Sequence, residues 1–366
     1  MNASFELPYF PRHGLLAKVL TTYESGLKQG ITLFAPRRQG KTSFVKHELL
    51  PAVTEAGWQT LYIDLWKRRS EPELGLVEQL EALLDARQSG WRKRLQLKEI
   101  KTKVKLPGGE VGATVVPEES QAPETVLENR LTTAMTALVG NRRTLLVIDE
   151  VQALAGAKQD NFVASLRTVI QQLLGKLLVF YTGSSRDGLN RMFRKQNAPL
   201  FASTMPLQLD DLGDDFLEDR LAFLSSRSPL PVDKVALTEI FEQLGKTPEF
   251  LNEVILHLII AGDGDLDAAM NAWRQSHRDA GAGSVLSTLK PIERALMILL
   301  STPEHPSVYS AEASTQLQAA VGTSVNATKI QNAINRLVKQ DLVGPTGTHG
   351  DYEIEDRAVL IHLREP

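Results

Sequence analysis

Two hydrophobic rhythms alternate along the first part of the chain. Continuous apolar runs occur at Ile31–Phe34, Trp58–Leu65, Thr144–Ile148, Lys176–Thr182 and Thr204–Leu209. Short apolar runs bounded by turn residues predict strands buried on both faces, as in a parallel sheet. Between them apolar residues recur at helical spacing, over Gly14–Gly26, Ser43–Leu50, Glu73–Arg87, Pro123–Gly140, Asn161–Leu174 and Leu189–Lys195. Pro51 predicts the end of the second of these helices. Alternation of the two periods predicts an α/β fold built from right-handed βαβ units.

The strand rhythm stops after Asp210-Asp211. Asp214–Leu224, Asp233–Leu244, Thr247–Ile260 and Asp265–Asp279 then predict a small helical lid, followed by a linker, Gly281-Ala282-Gly283-Ser284. The remainder predicts helices at Pro291–Leu300, Ser310–Ala320 and Asn326–Gln340. A hairpin from Leu342-Val343 to Tyr352-Glu353-Ile354 follows, so this part has a winged-helix pattern. The expected organisation is thus an αβ core over residues 1–210, a lid over 211–283 and a winged-helix domain over 284–366. A β-hairpin insertion is expected within the core at about 97–116, where Lys101, Lys103 and Lys105 alternate with Ile100, Thr102, Val104 and Leu106 before the turn Pro107-Gly108-Gly109.

Composition narrows the classes. A net charge of −3 gives no global field toward nucleic acid or anionic membrane, so such binding needs a local patch. The absence of cysteine excludes disulfides, thiolate metal sites and cysteine nucleophiles, and it fits a cytoplasmic protein. No signal-peptide pattern opens the chain, and no apolar stretch reaches membrane-spanning length, so a membrane partner is not expected. The seven histidines lack ligand spacing.

The chemistry is concentrated at strand ends. Ile31–Phe34 runs into Ala35-Pro36-Arg37-Arg38-Gln39-Gly40-Lys41-Thr42-Ser43, and a helix follows at once. This is the strand–loop–helix setting of a P-loop. Gly40 lets backbone approach phosphate, and the N–H groups at the helix start face anionic oxygens. Lys41 reaches the β- and γ-phosphates, and the Thr42 hydroxyl ligates Mg²⁺. Ala35 stands where the pattern has Gly, which is tolerable only at negative φ. The strand Thr144–Ile148 ends in Asp149-Glu150. Asp149 is placed to hold Mg²⁺ through its water shell, and Glu150 to take a proton from attacking water. Gly183-Ser184-Ser185 ends the next strand. A hydroxyl there, Ser184 by preference, can position that water.

The strings APRRQGKTSF, LLVIDEVQAL and TGSSR, with the later Gly245-Lys246-Thr247-Pro248-Glu249-Phe250-Leu251, resemble the AAA+/STAND superfamily. The resemblance is nearest to archaeal-type ATPases with a C-terminal winged helix, themselves similar to origin-recognition ATPases. It implies Walker A roles for Lys41 and Thr42, Walker B roles for Asp149 and Glu150, and a sensor role for Ser184. It also implies nucleotide contacts from the lid at Gly245 and Pro248, and an adenine neighbourhood at Tyr9 to Arg12. In many such proteins an arginine follows the Pro-Leu-aromatic segment and completes a neighbour's site. Here Pro199-Leu200-Phe201-Ala202-Ser203 lacks it, leaving Arg186, Arg191 or Arg194 as substitutes and predicting slow hydrolysis.

The remaining partner readings stay open. The lysine face of the insertion suits nucleic acid or a protein partner, but edge protection is the commoner use of such lysines. On the third tail helix, Lys329, Asn332, Arg336 and Lys339 share one face, the residue types that contact DNA. From Ser284 onward, however, seven basic residues face nine acidic ones, and Asp351, Glu353, Glu355 and Asp356 lie on or beside the would-be wing. That balance opposes phosphate binding and favours docking on the core or on a protein. The two functional readings are therefore an ATP-binding and ATP-hydrolysing switch and a non-catalytic interaction module.

Overall fold

The computed structural model describes residues 7–87, 123–194, 196–227, 232–278, 281, 283–346 and 351–364. The expected basic hairpin, with Lys101, Lys103 and Lys105, lies outside the described residues. Five parallel strands form the main sheet: β1 (Gly30–Phe34), β2 (Gln59–Asp64), β3 (Thr144–Asp149), β4 (Leu177–Gly183) and β5 (Thr204–Gln208), in the order β2-β3-β4-β1-β5. Every residue of β3 is buried, as an uninterrupted apolar run in a central strand requires. One apolar cluster joins the helices Pro72–Arg87, Pro123–Val139 and Asp160–Gln172 to one face of the sheet. A second packs Leu15, Val19 and Tyr23 with Phe44, Val45 and Leu49 against the other face.

This strand order places β4 between β1 and β3. The registers Phe34↔Gly183 and Ile148↔Tyr181 bring the C-terminal ends of all three strands together. The loop after β1, the Ser184-Ser185 turn after β4 and the acidic pair ending β3 therefore open side by side. Ligands of open α/β sheets bind at such carboxyl ends.

Two local expectations change, and one helix is added. The helix after the loop does not end at Pro51: Lys41–Phe44 passes through a π-turn, Val45–Leu49, into Leu50–Glu55. Proline removes one donor and crowds the preceding turn, and the wider π-turn just before it absorbs both effects. Of the expected linker, Ala282 lies outside the described residues, and Gly283 and Ser284 open a short helix, Gly283–Thr288, whose Leu286 belongs to the C-terminal apolar cluster. A last helix, Arg357–Leu363, has no signal longer than two turns, but Asp356 caps it through the N–H groups of Ala358 and Val359.

The helices Asp214–Arg227, Lys234–Gln243, Pro248–Ala261 and Leu266–His277 share an apolar cluster around Phe216, Phe250 and Trp273. The C-terminal part packs Pro291–Ser301, Ala311–Val321 and Ala327–Lys339 with an antiparallel hairpin, β6 (Val343–Pro345) and β7 (Tyr352–Ile354). It does not stand apart. Ile361 of the last helix belongs to the helical cluster around Phe216. Asp341 reaches both Arg37 and Arg69 at 3.2 Å, and Glu353 reaches Arg186 at 3.0 Å.

Candidate functional site

The loop after β1 owes its shape to two left-handed residues. Gly40 has φ 91° and Arg38 φ 66°. The first needs glycine. Ala35 is not among the positive-φ residues and is fully buried, so its methyl group is accommodated where the usual pattern has glycine. Three arginines, Arg12 outside the loop and Arg37 and Arg38 within it, tie the loop to its surroundings. Arg12 donates to the Gln39 carbonyl at 2.9 Å. Arg37 pairs with Asp341. Arg38 lies 4.9 Å from the Phe250 ring centre and 3.6 Å from Glu249, both on the helix that begins at Pro248. Burial lowers the proton affinity of Arg12.

Lys41 is 5% exposed, and its ammonium donates to the carbonyls of Ala35 at 2.8 Å and Pro36 at 3.0 Å. Burial depresses its pKa, opposed by the nearby carboxylates of Glu150 and Asp149. Thr42 donates its hydroxyl to Asp149 Oδ2 at 2.8 Å. Tyr62 donates to the same oxygen at 2.6 Å, and Thr182 donates to Oδ1. Burial, then the bond to Asp149, raises the Tyr62 phenol well above its ordinary range, so it remains a donor. Glu150 sits in a left-handed conformation, φ 57°. Its Oε2 accepts from Ser184 Oγ at 2.7 Å and from Gln152 Nε2.

A cavity of about 240 Å³ opens beside this loop. Tyr9, Arg12, Arg38, Gln39, Gly40 and Ser43 line it from the core, and Pro248, Glu249 and Asn252 from the helical part. Tyr9 stacks on His47 at 4.8 Å and donates to the buried Glu48. Burial raises the Glu249 carboxyl above its ordinary value. Gly245, at φ 59°, turns the chain three residues before Pro248 and approaches Arg357 rather than lining this cavity.

The expected residues thus fall into three groups. Pro36, Arg38, Gln39, Gly40, Lys41, Thr42, Ser43, Asp149, Glu150 and Ser184 gather at the sheet end. Tyr9, Arg12 and Pro248 form the adjoining cavity wall. Arg37 and Arg186 point to the C-terminal part instead. Arg186 lies over Phe34 at 4.7 Å, pairs with Glu353, and donates its backbone N–H to Glu355 at 2.9 Å. Burial raises the Glu355 carboxyl to about 7. Sequence reasoning misses Tyr62, Thr182 and Gln152. Tyr62 and Thr182 read as ordinary strand residues until the sheet order puts them beside Asp149, and Gln152 reads as a helical-turn residue.

The donor set of Thr42 and Asp149 consists of hard oxygens, a hydroxyl and a carboxylate, and so fits Mg²⁺. Among the described residues no group of three or more His, Cys, Asp or Glu forms a separate metal cluster. No described helix is long and apolar enough to cross a membrane.

No family model matches the chain, and no curated protein matches it in sequence. Solved structures do match in fold. A Walker-type ATPase of Pyrococcus abyssi superposes with a TM-score of 0.65 at 18% identity, over 98% of this chain and 96% of that one. The ORC2 protein of Aeropyrum pernix in its ADP form superposes with a TM-score of 0.53 at 12% identity, over 97% and 93%. The chain shares the fold of these two proteins, sheet and following helices together.

Proposed function

We propose that this chain is an ATP-binding and slowly ATP-hydrolysing switch, with the three-part division at residues 210 and 283 expected from the sequence. The observation that carries this is the convergence of Lys41, Thr42, Asp149 and Glu150 at one sheet end, with Thr42 and Asp149 in direct contact. Triphosphate sits on the N–H groups after Gly40, and adenosine enters the cavity between Tyr9, Arg12 and Pro248. Lys41 leaves its two carbonyl partners for phosphate oxygens, which offset the cost of its burial far better than neutral carbonyls do. Thr42 and Asp149 would hold Mg²⁺, which would supply neutralisation of phosphate charge when bound. Glu150 accepts the proton of the attacking water, with Ser184 beside it. The Arg186 guanidinium is engaged by Glu353, so a stabilising arginine is left to Arg191 or Arg194 of a neighbouring copy or to a partner, or is lacking and turnover stays slow.

The test compares Glu150→Gln with wild type in the full chain. The substitution keeps binding of a non-hydrolysable ATP analogue and stops phosphate release. A wild type that releases no phosphate, with or without DNA, leaves only the non-catalytic interaction module.

A specific observation supports DNA as a further partner. Three of the acids that opposed it are used internally: Glu353 and Glu355 on Arg186, and Asp356 as a helix cap. The helix Ala327–Lys339 itself carries no acid and exposes Lys329, Asn332 and Lys339. Arg336, by contrast, is paired with the buried Glu293. Phosphate contacts therefore fall first to Lys329 and Lys339.

A further inference from the structure

Gln152 binds neither phosphate nor metal in the proposed mechanism, yet the site is built around it. Its Nε2 contacts both the Glu150 carboxylate and Ser184 Oγ, the latter at 3.0 Å. A carboxylate only accepts, so the amide nitrogen must face Glu150, which fixes the orientation of the group. This leaves Gln152 Oε1 buried with no hydrogen-bond partner. A buried amide oxygen without a partner is unfavourable. It is retained here although two neighbouring positions are cut back to make room. A Cβ on Gly188 would lie 2.5 Å from Gln152 Cβ, and one on Gly183 would lie 2.9 Å from Gln152 Oε1. Glu150 is itself held in the left-handed conformation that side chains rarely adopt. Its direction is therefore set by local backbone strain and by its two side-chain partners together.

We propose that Gln152 is a positioning residue for Glu150: with Ser184 it grips Oε2, so that Oε1 is the oxygen offered to the attacking water. This rests on the hydrolytic reading of the site. Gln152 touches neither phosphate nor water in this scheme and acts through the carboxylate alone. Freed from it, Glu150 samples other rotamers, and the fraction aligned for proton transfer falls. A displacement of the base by about 1 Å is worth on the order of 10²-fold in rate.

The experiment uses the full chain, MgATP turnover, the affinity of a non-hydrolysable ATP analogue, and the melting temperature. Gln152→Ala is expected to lower kcat at least tenfold, with analogue affinity and melting temperature unchanged. Ser184→Ala lowers it too, and the double variant loses less than the product of the two, because both hold one carboxylate. If Gln152→Ala does not fold, Gly188→Ala displaces the same side chain and is read the same way. Wild-type turnover in Gln152→Ala, multiplicative losses in the double variant, or a loss confined to analogue affinity overturns the proposal. A wild type without turnover overturns the hydrolytic reading itself, and the proposal with it, so the two failures are told apart by the wild-type rate.

Discussion

The candidate site at the sheet end and the C-terminal part use charge in opposite ways. At the sheet end, Lys41 and Asp149 are almost fully buried; Lys41 is held by two carbonyls and Asp149 by the hydroxyls of Thr42, Tyr62 and Thr182. Burying a charge is costly unless it is paired, so such a cluster has few alternative arrangements and few purposes. In the C-terminal part the cations Lys329 and Lys339 are exposed, whereas the acids Glu355 and Glu293 are buried against arginines. A count of charges along that segment says it repels phosphate. The folded arrangement turns several of those acids inward, toward Arg186, Arg37 and Arg336, and leaves one helix face without them. Net charge is thus a sound guide to what a segment binds only when its charged groups all face solvent.

The sharpest break of the comparison is Glu150→Gln. Loss of a general base lowers turnover by about 10²–10⁴-fold, measured as phosphate release, with ATP-analogue affinity retained. Next is Lys41→Ala. A ligand at a hundred times its Kd stabilises the folded state by about 2.7 kcal/mol; that ATP-dependent rise in melting temperature is expected to vanish, and a persistent rise places ATP elsewhere.

The C-terminal side is tested by Glu355. Its carboxyl is raised from 4.5 to about 7, so the folded chain binds the proton more tightly than the unfolded one. Stability from this group is greatest below pH 4.5 and falls as pH rises to about 7, beyond which it is constant. Glu355→Gln keeps an acceptor for the Arg186 N–H and removes the charge. It is expected to stabilise the chain at pH 8 by about 1–3 kcal/mol and to flatten this part of the pH dependence, read by denaturant unfolding at pH 5 and pH 8. An unaltered pH slope shows that Glu355 is not the titrating group.

For the exposed helix face, Lys329→Ala with Lys339→Ala is expected to weaken DNA binding uniformly across sequences. The double substitution lowers the salt slope by about 0.9 for each phosphate that is no longer neutralised. Binding unaffected by the pair removes this helix as the DNA-facing element. The smallest effect belongs to Asp341→Asn, which frees Arg37 and Arg69. Ion pairs that are partly exposed are worth about 0–1 kcal/mol, so the shift in melting temperature is expected to be slight.

The sequence by itself determined the fold class and the two main strand-end motifs. Buried parallel strands must be apolar throughout, and a phosphate loop must place glycine, lysine and a hydroxyl at fixed offsets, so both leave local signatures at Ile31–Thr42 and Leu145–Glu150. It also determined the third tail helix, from the stripe of Ile330, Ile334 and Leu337, all buried as that spacing requires. Tertiary structure alone decided which residues serve those motifs. Tyr62 and Thr182 hold Asp149 because β2, β3 and β4 are neighbours, and Gln152 meets Glu150 because Gly183 and Gly188 stand aside. The same is true of Arg186, whose backbone N–H meets an acid 169 positions away. Periodicity and spacing report what a residue needs from its immediate neighbours. Pairing between distant charges depends on how whole elements dock, and nothing local in the chain encodes it.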